Sequence, residues 1–64
     1  MNYTNSKARE LIGEYIHSQR DRDILTDRLI NGMTFERLGE KYELSVVQVK
    51  RIVYKHEKEI FRHI

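Results

Sequence analysis

The residues of this chain best suited to bind a polyanion lie in one stretch near its C-terminal end. Between residues 45 and 56 the sequence has three bases, Lys50, Arg51 and Lys55, and no acid. The formal net charge of the whole chain is only +2, so the local distribution of charge is more informative than the total. A run of bases without acids favours a surface that meets phosphate groups.

Other side chains in this stretch match the chemistry of base pairs in the major groove of DNA. Arg51 can form a pair of hydrogen bonds to guanine, and Gln48 can form a pair to adenine. The methyl groups of Val46 or Val47 can pack against the methyl group of thymine. Three lysines can neutralise phosphates: Lys50, Lys55 and Lys58.

Composition and motifs argue against several other kinds of site. The chain has no cysteine, which excludes disulfides, thiol nucleophiles and cysteine-based zinc sites. His56 and His63 are two helical turns apart, and Glu59 with His63 offers only two ligands, so we expect no metal. There is no glycine-rich phosphate loop and no serine or threonine beside a suitable base. We therefore expect no catalytic site, no cofactor and no enzyme activity.

The same composition predicts a compartment. The absence of cysteine favours a reducing cytoplasmic setting. No segment approaches the roughly 18 apolar residues that span a bilayer, and the N-terminal residues lack the apolar core of a signal peptide. We expect a cytoplasmic protein without a membrane partner, associated with the nucleoid when bound to DNA.

The spacing of apolar residues predicts an all-α chain, since no long alternation of apolar and polar residues indicates a strand. Helix 1 is predicted at about residues 6–18, capped by Thr4, Asn5 or Ser6. Its apolar stripe is Ala8, Leu11, Ile12, Tyr15 and Ile16. Helix 2 is predicted at about 21–31, from a cap at Asp21 to the stop at Asn31 and Gly32. Its apolar residues are Ile24, Leu25, Leu29 and Ile30.

Two further helices complete the predicted fold. Helix 3 is predicted at about residues 35–42, because Thr34 is a suitable N-cap and Glu36 in the first turn favours the positive end of the helix dipole. Helix 4 is predicted at about 46–62. Ser45 and Gln48 have the spacing of a capping box at its start.

Helices 3 and 4 are expected to cross at a steep angle, because only three residues separate them. Gly39 lies in the middle of helix 3, where glycine costs about 1 kcal/mol relative to alanine, so a close contact between the helices is expected there. The predicted core of this pair is Leu38, Tyr42, Leu44, Val49 and Ile52. The opposite face of helix 4 is then left to solvent: Val46, Val47, Gln48, Lys50, Arg51, Tyr54 and Lys55. Such a helix fits the major groove, which is about 12 Å wide.

Residues 20–52, "RDRDILTDRLINGMTFERLGEKYELSVVQVKRI", resemble the helix-turn-helix in region four of bacterial sigma factors, which reads the upstream promoter element. The resemblance rests on the charged start of helix 2, the apolar pair after it, a glycine, a Ser/Thr cap and a small residue in helix 3. It implies a four-helix domain with a long C-terminal recognition helix beginning at Ser45. The DNA-contacting positions that it implies are Val46, Val47, Gln48, Lys50 and Arg51.

Two residues depart from the family pattern. Glu43 occupies the turn position where such motifs often have a left-handed glycine. That conformation is costlier for glutamate, so the departure leaves open a locally different turn. Asp27 occupies a position that is usually aliphatic, so either the packing of helix 2 differs or Asp27 is a surface contact. The chain also lacks the regions that bind the polymerase clamp or melt the promoter.

These observations predict a sequence-specific regulator of transcription from a bacterium, phage or mobile element, with double-stranded DNA as its partner. The N-caps at Thr34 and Ser45 are expected to meet phosphates. The alternative is a protein-interaction adaptor that uses the same fold to bind RNA polymerase, another regulator or a host defence protein. A helix lying on a membrane surface is disfavoured, since helix 4 lacks a wide, bulky apolar face.

A homodimer is a further hypothesis. Tyr3, Leu11, Tyr15 and Ile16 exceed what one short core easily covers, and a dimer would place two reading helices one DNA turn apart, roughly 34 Å. The C-terminal residues Ile60, Phe61 and Ile64 are expected to pack on helix 1 or on a second subunit.

Overall fold

Four α-helices make up the part of the chain that the computed structural model describes, residues 5–63. They are α1 (Asn5–Tyr15), α2 (Gln19–Leu29), α3 (Phe35–Tyr42) and α4 (Val46–Phe61). Within residues 5–63 there is no β-strand, so the all-α prediction is confirmed for that part. Tyr3, Thr4 and Ile64, which entered the predictions above, lie outside the described residues.

The junction between α1 and α2 differs from the prediction. The N-cap of α2 is Ser18, not Asp21; the Ser18 Oγ accepts a hydrogen bond from the Asp21 amide. Helix α1 ends at Tyr15 because the Arg22 guanidinium donates to the carbonyl oxygens of Gly13 and Ile16, which satisfies acceptors at that helix end. Helix α1 therefore ends at Tyr15, earlier than the predicted residue 18. Helix α2 covers Gln19–Leu29 and is shifted toward the N-terminus relative to the predicted 21–31.

The starts of α3 and α4 agree with the sequence. The Thr34 side chain accepts from the Arg37 amide, and the Ser45 side chain accepts from the Gln48 amide at 3.1 Å. The Gln48 side chain accepts in return from the Ser45 amide at 2.9 Å, which completes the capping box. Each cap satisfies backbone donors that a helix start would otherwise leave without partners.

The turn between α3 and α4 is tight. Glu43 ends α3 in the left-handed region, with φ 56° and ψ 46°. A Cβ atom at Gly39 would lie 2.7 Å from the Leu44 carbonyl oxygen, so only glycine permits this approach of the turn to α3. The close contact expected at Gly39 is confirmed. The locally different turn considered for Glu43 is not found, because Glu43 itself adopts the left-handed conformation.

One apolar core joins all four helices. Its fully buried members are Leu11, Ile12, Ile16, Ile24, Leu25, Leu38, Val49, Val53 and Ile60. Of the residues predicted to close the α3–α4 crossing, Leu38 and Val49 are fully buried, whereas Tyr42, Leu44 and Ile52 pack partly buried against them. None of the described helices is long and apolar enough to cross a membrane.

Burial within a single chain removes part of the reason for expecting a dimer. Leu11 and Ile16 are 2% and 0% exposed, so one core does cover them. The C-terminal end packs on α1, because the rings of Tyr15 and His63 stack with centroids 4.1 Å apart and Ile60 is buried. Among the described apolar residues of this region, Phe61 keeps 38% of its surface exposed.

Asp27 is a buried anchor between α2 and α3, and the surface-contact alternative for it is wrong. It is 7% exposed. Its Oδ2 accepts from the Lys41 ammonium at 2.7 Å and from the Tyr42 hydroxyl at 2.6 Å, and its Oδ1 accepts from the Asn31 amide. Burial acts to raise the pKa of Asp27, but these hydrogen bonds and the Lys41 charge outweigh burial and lower it.

Candidate nucleic-acid interface

The outward face of α4 is the candidate interface. Val47, Arg51, Tyr54 and Lys58 follow one another at intervals of three or four residues, which places them in one row along the helix. All four are exposed, and Val47 and Tyr54 keep 63% and 55% of their surface accessible. Lys55 is exposed beside this row. This set of residues is called the outward row of α4 below.

The bases of this face carry charge that the rest of the described chain does not neutralise. Within residues 5–63, no ion pair joins Lys50, Arg51, Lys55 or Lys58 to an acid. Acids do pair with other side chains of α4 and with the residues after it: Glu59 pairs with Arg62 and His63, and Asp21 of α2 pairs with His56. Positive charge is therefore left uncompensated along the middle of α4.

Gln48 takes part in the capping box of α4, which limits its ability to contact a DNA base. Its Oε1 atom accepts from the Ser45 amide and thereby holds the carboxamide back against the helix start. A paired hydrogen bond to adenine needs both the oxygen and the nitrogen of the carboxamide. Gln48 would have to share its oxygen or open the capping box to make that contact. Val46, next to the cap, is half-buried.

Phe35, at the start of α3, organises one edge of α4. Its ring lies 4.1 Å from the Arg28 guanidinium carbon and 5.6 Å from the Lys50 ammonium. The edge of the Tyr54 ring meets it at a centroid distance of 5.8 Å and an interplanar angle of 75°. Lys50 thus lies beside Phe35, at the border between α3 and α4, rather than in the outward row.

Glu57 is the first acid after the basic stretch and lies near the same edge. It is half-buried, and burial raises its pKa while the charge of Arg28 opposes that shift. The Arg28 Nη1 atom also donates to the Met33 carbonyl oxygen at 2.9 Å. Arg28 therefore connects the end of α2, the start of α3 and one edge of α4.

The two predicted phosphate-binding caps remain accessible. Thr34 and Ser45 are exposed, and each hydroxyl oxygen accepts from an amide of its own helix. A hydroxyl that accepts in this way still has its proton to donate. Ser45 borders the α3–α4 turn, whereas Thr34 lies at the opposite end of α3.

Phe35 and Arg28 were not among the residues predicted for the site. Each is separated in sequence from the basic stretch, so no local pattern connects them with Lys50. In the sequence, the helical spacing of Phe35 with Leu38 and Tyr42 indicated a core position for its ring. Its partial burial agrees with that reading, and its contacts with two cations add to it.

A cleft of about 430 Å³ lies on another side of α4, between that helix and the α1–α2 junction. His56 crosses it from α4 and its Nε2 atom lies 2.9 Å from Asp21 Oδ2. Within residues 5–63 no group of three or more His, Asp and Glu side chains is arranged to hold a metal ion. The His56–Asp21 pair joins α4 to α2 through this contact.

Comparison of the chain with models of protein families, with curated protein sequences and with solved structures finds no match.

Proposed function

We propose that this chain binds double-stranded DNA in a sequence-dependent way and regulates transcription, with α3 and α4 acting as a helix-turn-helix similar to that of sigma region four. In this proposal α4 enters the major groove with its N-terminal half against the base edges. Arg51 and Val47 are the proposed base contacts, and Lys55 and Lys58 the proposed phosphate contacts.

The exposed side chains in the outward row of α4 are the main support for this proposal. The row combines exposed apolar surface at Val47 with an exposed guanidinium one turn later, at Arg51, and neither group is used by the fold. A helix that only closed a core would gain nothing from an exposed valine next to unpaired bases. A helix in the major groove uses both, because thymine methyl groups and guanine acceptors line that groove.

The supporting geometry concerns the turn. The capping box and the close contact at Gly39 fix the first turn of α4 against α3. A reading helix needs this rigidity, because base contacts are lost when side chains move by about 1 Å. The accessible caps at Ser45, beside this turn, and at Thr34, at the start of α3, are further proposed phosphate contacts.

Selection from a pool of random duplexes tests the proposal. We expect enrichment of a defined sequence, and tighter binding of that sequence than of a scrambled duplex of equal length. If Lys50, Lys55 and Lys58 each neutralise one phosphate, affinity should fall about 40-fold between 50 and 200 mM salt. Failure to enrich any sequence, together with weak salt dependence, would favour a protein adaptor that uses the same surface.

A further inference from the structure

The cluster formed by Phe35, Arg28, Lys50 and Tyr54 has a role that packing alone does not explain. Phe35 is half-buried and packs against the core, as a leucine also could. What a leucine lacks is a ring face that attracts cations. Two cations from different helices, one from α2 and one from α4, lie over this one ring.

A ring holds a cation differently from a carboxylate. A carboxylate cancels the positive charge and accepts the N–H donors, whereas a ring carries no net charge and attracts the cation through its quadrupole. Lys50 has three N–H donors and Arg28 has five. Among the described contacts, one Arg28 donor is used, by the Met33 carbonyl oxygen, and no Lys50 donor is used.

Holding these side chains in place lowers the entropy lost when they meet a ligand. Ordering one long side chain on binding costs about 0.5 to 1.5 kcal/mol, which corresponds to roughly a two- to tenfold change in affinity. A long cation already ordered by a ring avoids part of that loss. The arrangement therefore suits a polyanion, which needs cations that are fixed in position and still charged.

We infer that Phe35 is a positioning residue, whose ring holds the Arg28 and Lys50 cations at the α3–α4 edge for contact with DNA phosphates. This inference rests on the proposed function, since it concerns the same surface. It adds a contribution from α2, through Arg28, to a site that otherwise belongs to α3 and α4. It also separates Lys50, as a phosphate contact at the border of the site, from the base contacts in the outward row.

Phe35→Leu and Phe35→Tyr test the role of the ring. The leucine variant keeps an apolar side chain and loses the ring, while the tyrosine variant keeps the ring. We expect Phe35→Leu to bind the selected duplex about three- to tenfold more weakly than the wild type. Phe35→Tyr should bind within about twofold of the wild type. Tyr15→Leu is the matched control, because it removes an aromatic ring that lies against His63 instead, and its affinity should equal that of the wild type.

Proton chemical shifts of the Lys50 side chain report directly on its contact with the Phe35 ring. A role of Phe35 in core packing alone would not change these shifts. The ring of Phe35 should shift the Lys50 methylene protons upfield in the wild type and in Phe35→Tyr, and this shift should disappear in Phe35→Leu. Circular dichroism melts establish that each variant is folded; if the leucine variant unfolds, Phe35→Met is the second variant without a ring.

Three outcomes would overturn the inference: equal duplex affinity of Phe35→Leu and wild type, equal losses in the leucine and tyrosine variants, or a Lys50 shift that does not depend on the ring. A wild-type protein that binds no duplex at all would instead overturn the proposed function. The two kinds of failure are distinguishable, because loss of the proposed function would already be seen in the wild-type protein, without any variant.

Discussion

Glu43 stands in a backbone conformation that disfavours every residue with a Cβ atom. Its φ of 56° lies in the left-handed region, which costs roughly 1 to 2 kcal/mol for a residue other than glycine. The amide of Glu43 donates to the Gly39 carbonyl oxygen, which closes the end of α3. At this turn glutamate therefore bears a strain that glycine would relieve.

Glu43→Gly should stabilise the protein by about 0.5 to 1 kcal/mol, because relief of the strain exceeds the added entropy of the unfolded chain. The midpoint of urea denaturation measures the change. Glu40→Gly is the matched control: Glu40 is exposed and helical in the same element, so this variant should lose about 1 kcal/mol. A lower midpoint for Glu43→Gly would show that the turn is not strained.

Asp27 should be the polar residue whose loss weakens the fold most. In Asp27→Asn the group that replaces one carboxylate oxygen is a donor, so the Lys41 ammonium and the Tyr42 hydroxyl compete for the remaining oxygen with Asn31. We expect a loss of about 1 to 2 kcal/mol, moderated by the exposure of Lys41. Asp23→Asn, at an exposed position of the same helix, should change the stability little; equal effects of the two variants would contradict the anchoring role.

The pH dependence of stability has a defined sign at Asp27. The pKa of this carboxyl is lower in the folded protein than its ordinary value of 3.8. The folded state therefore binds its proton less readily than the unfolded state does, and ionised Asp27 stabilises the fold above about pH 3.8. That contribution should disappear as the pH falls from about 3.8 through the lowered pKa, and Asp27→Asn should lack it.

Individual residues differ in how far the sequence predicts them. The close contact at Gly39 was predicted, because a glycine inside a helix is a local signal that depends on residue type. The conformation of Glu43 was left open, since the cost of a left-handed glutamate also allowed a different turn. Asp27 remained undecided, since an acid at a usually aliphatic position has no local explanation. Its partners Lys41 and Tyr42 are 14 and 15 residues away in another helix, and a single sequence does not reveal such a pairing.

At the scale of the elements, the crossing of α3 and α4 depends on the missing side chain of Gly39. In Gly39→Ala the new Cβ atom would lie 2.7 Å from a backbone oxygen of Leu44, which cannot move without opening the turn. The alanine should favour the helix by about 1 kcal/mol, yet the clash should dominate and give a net loss of about 1 to 3 kcal/mol.

Gly13→Ala should have the opposite effect on stability to Gly39→Ala. Gly13 is in α1, and a Cβ atom there would meet nothing within 4 Å. This variant should be more stable than the wild type by about 0.5 to 1 kcal/mol, as measured by thermal or urea denaturation. If both alanine variants were stabilised, the α3–α4 crossing would not require close contact at Gly39.

The elements themselves were predicted where caps and stripes agreed. The starts of α3 and α4 followed from Thr34 and from the Ser45–Gln48 pair. The α1–α2 junction was placed differently because Ser18 and Asp21 are both good caps, and the choice depends on Arg22 reaching back to the end of α1. A side chain that caps another helix is a tertiary contact, which apolar periodicity does not contain.

For the whole molecule, some charged side chains form ion pairs inside the fold and others do not. Several acids pair inside the fold, at Asp21, Asp27 and Glu59, and so join or support helices. The bases in the middle of α4 have no such pairs within residues 5–63. Unpaired lysine and arginine side chains raise the local electrostatic potential around α4, and under the proposed function this potential would attract duplex DNA to that helix.

The affinities of Arg51→Ala and Lys55→Ala for selected and scrambled duplexes test the proposal that α4 reads duplex DNA. We expect Arg51→Ala to lose about 1 to 3 kcal/mol on the selected duplex and to discriminate less at one base pair. Lys55→Ala should weaken binding to both duplexes alike and reduce the salt slope by about 1. Unchanged affinity of both variants for both duplexes would contradict the assignment of α4 as the DNA-reading helix.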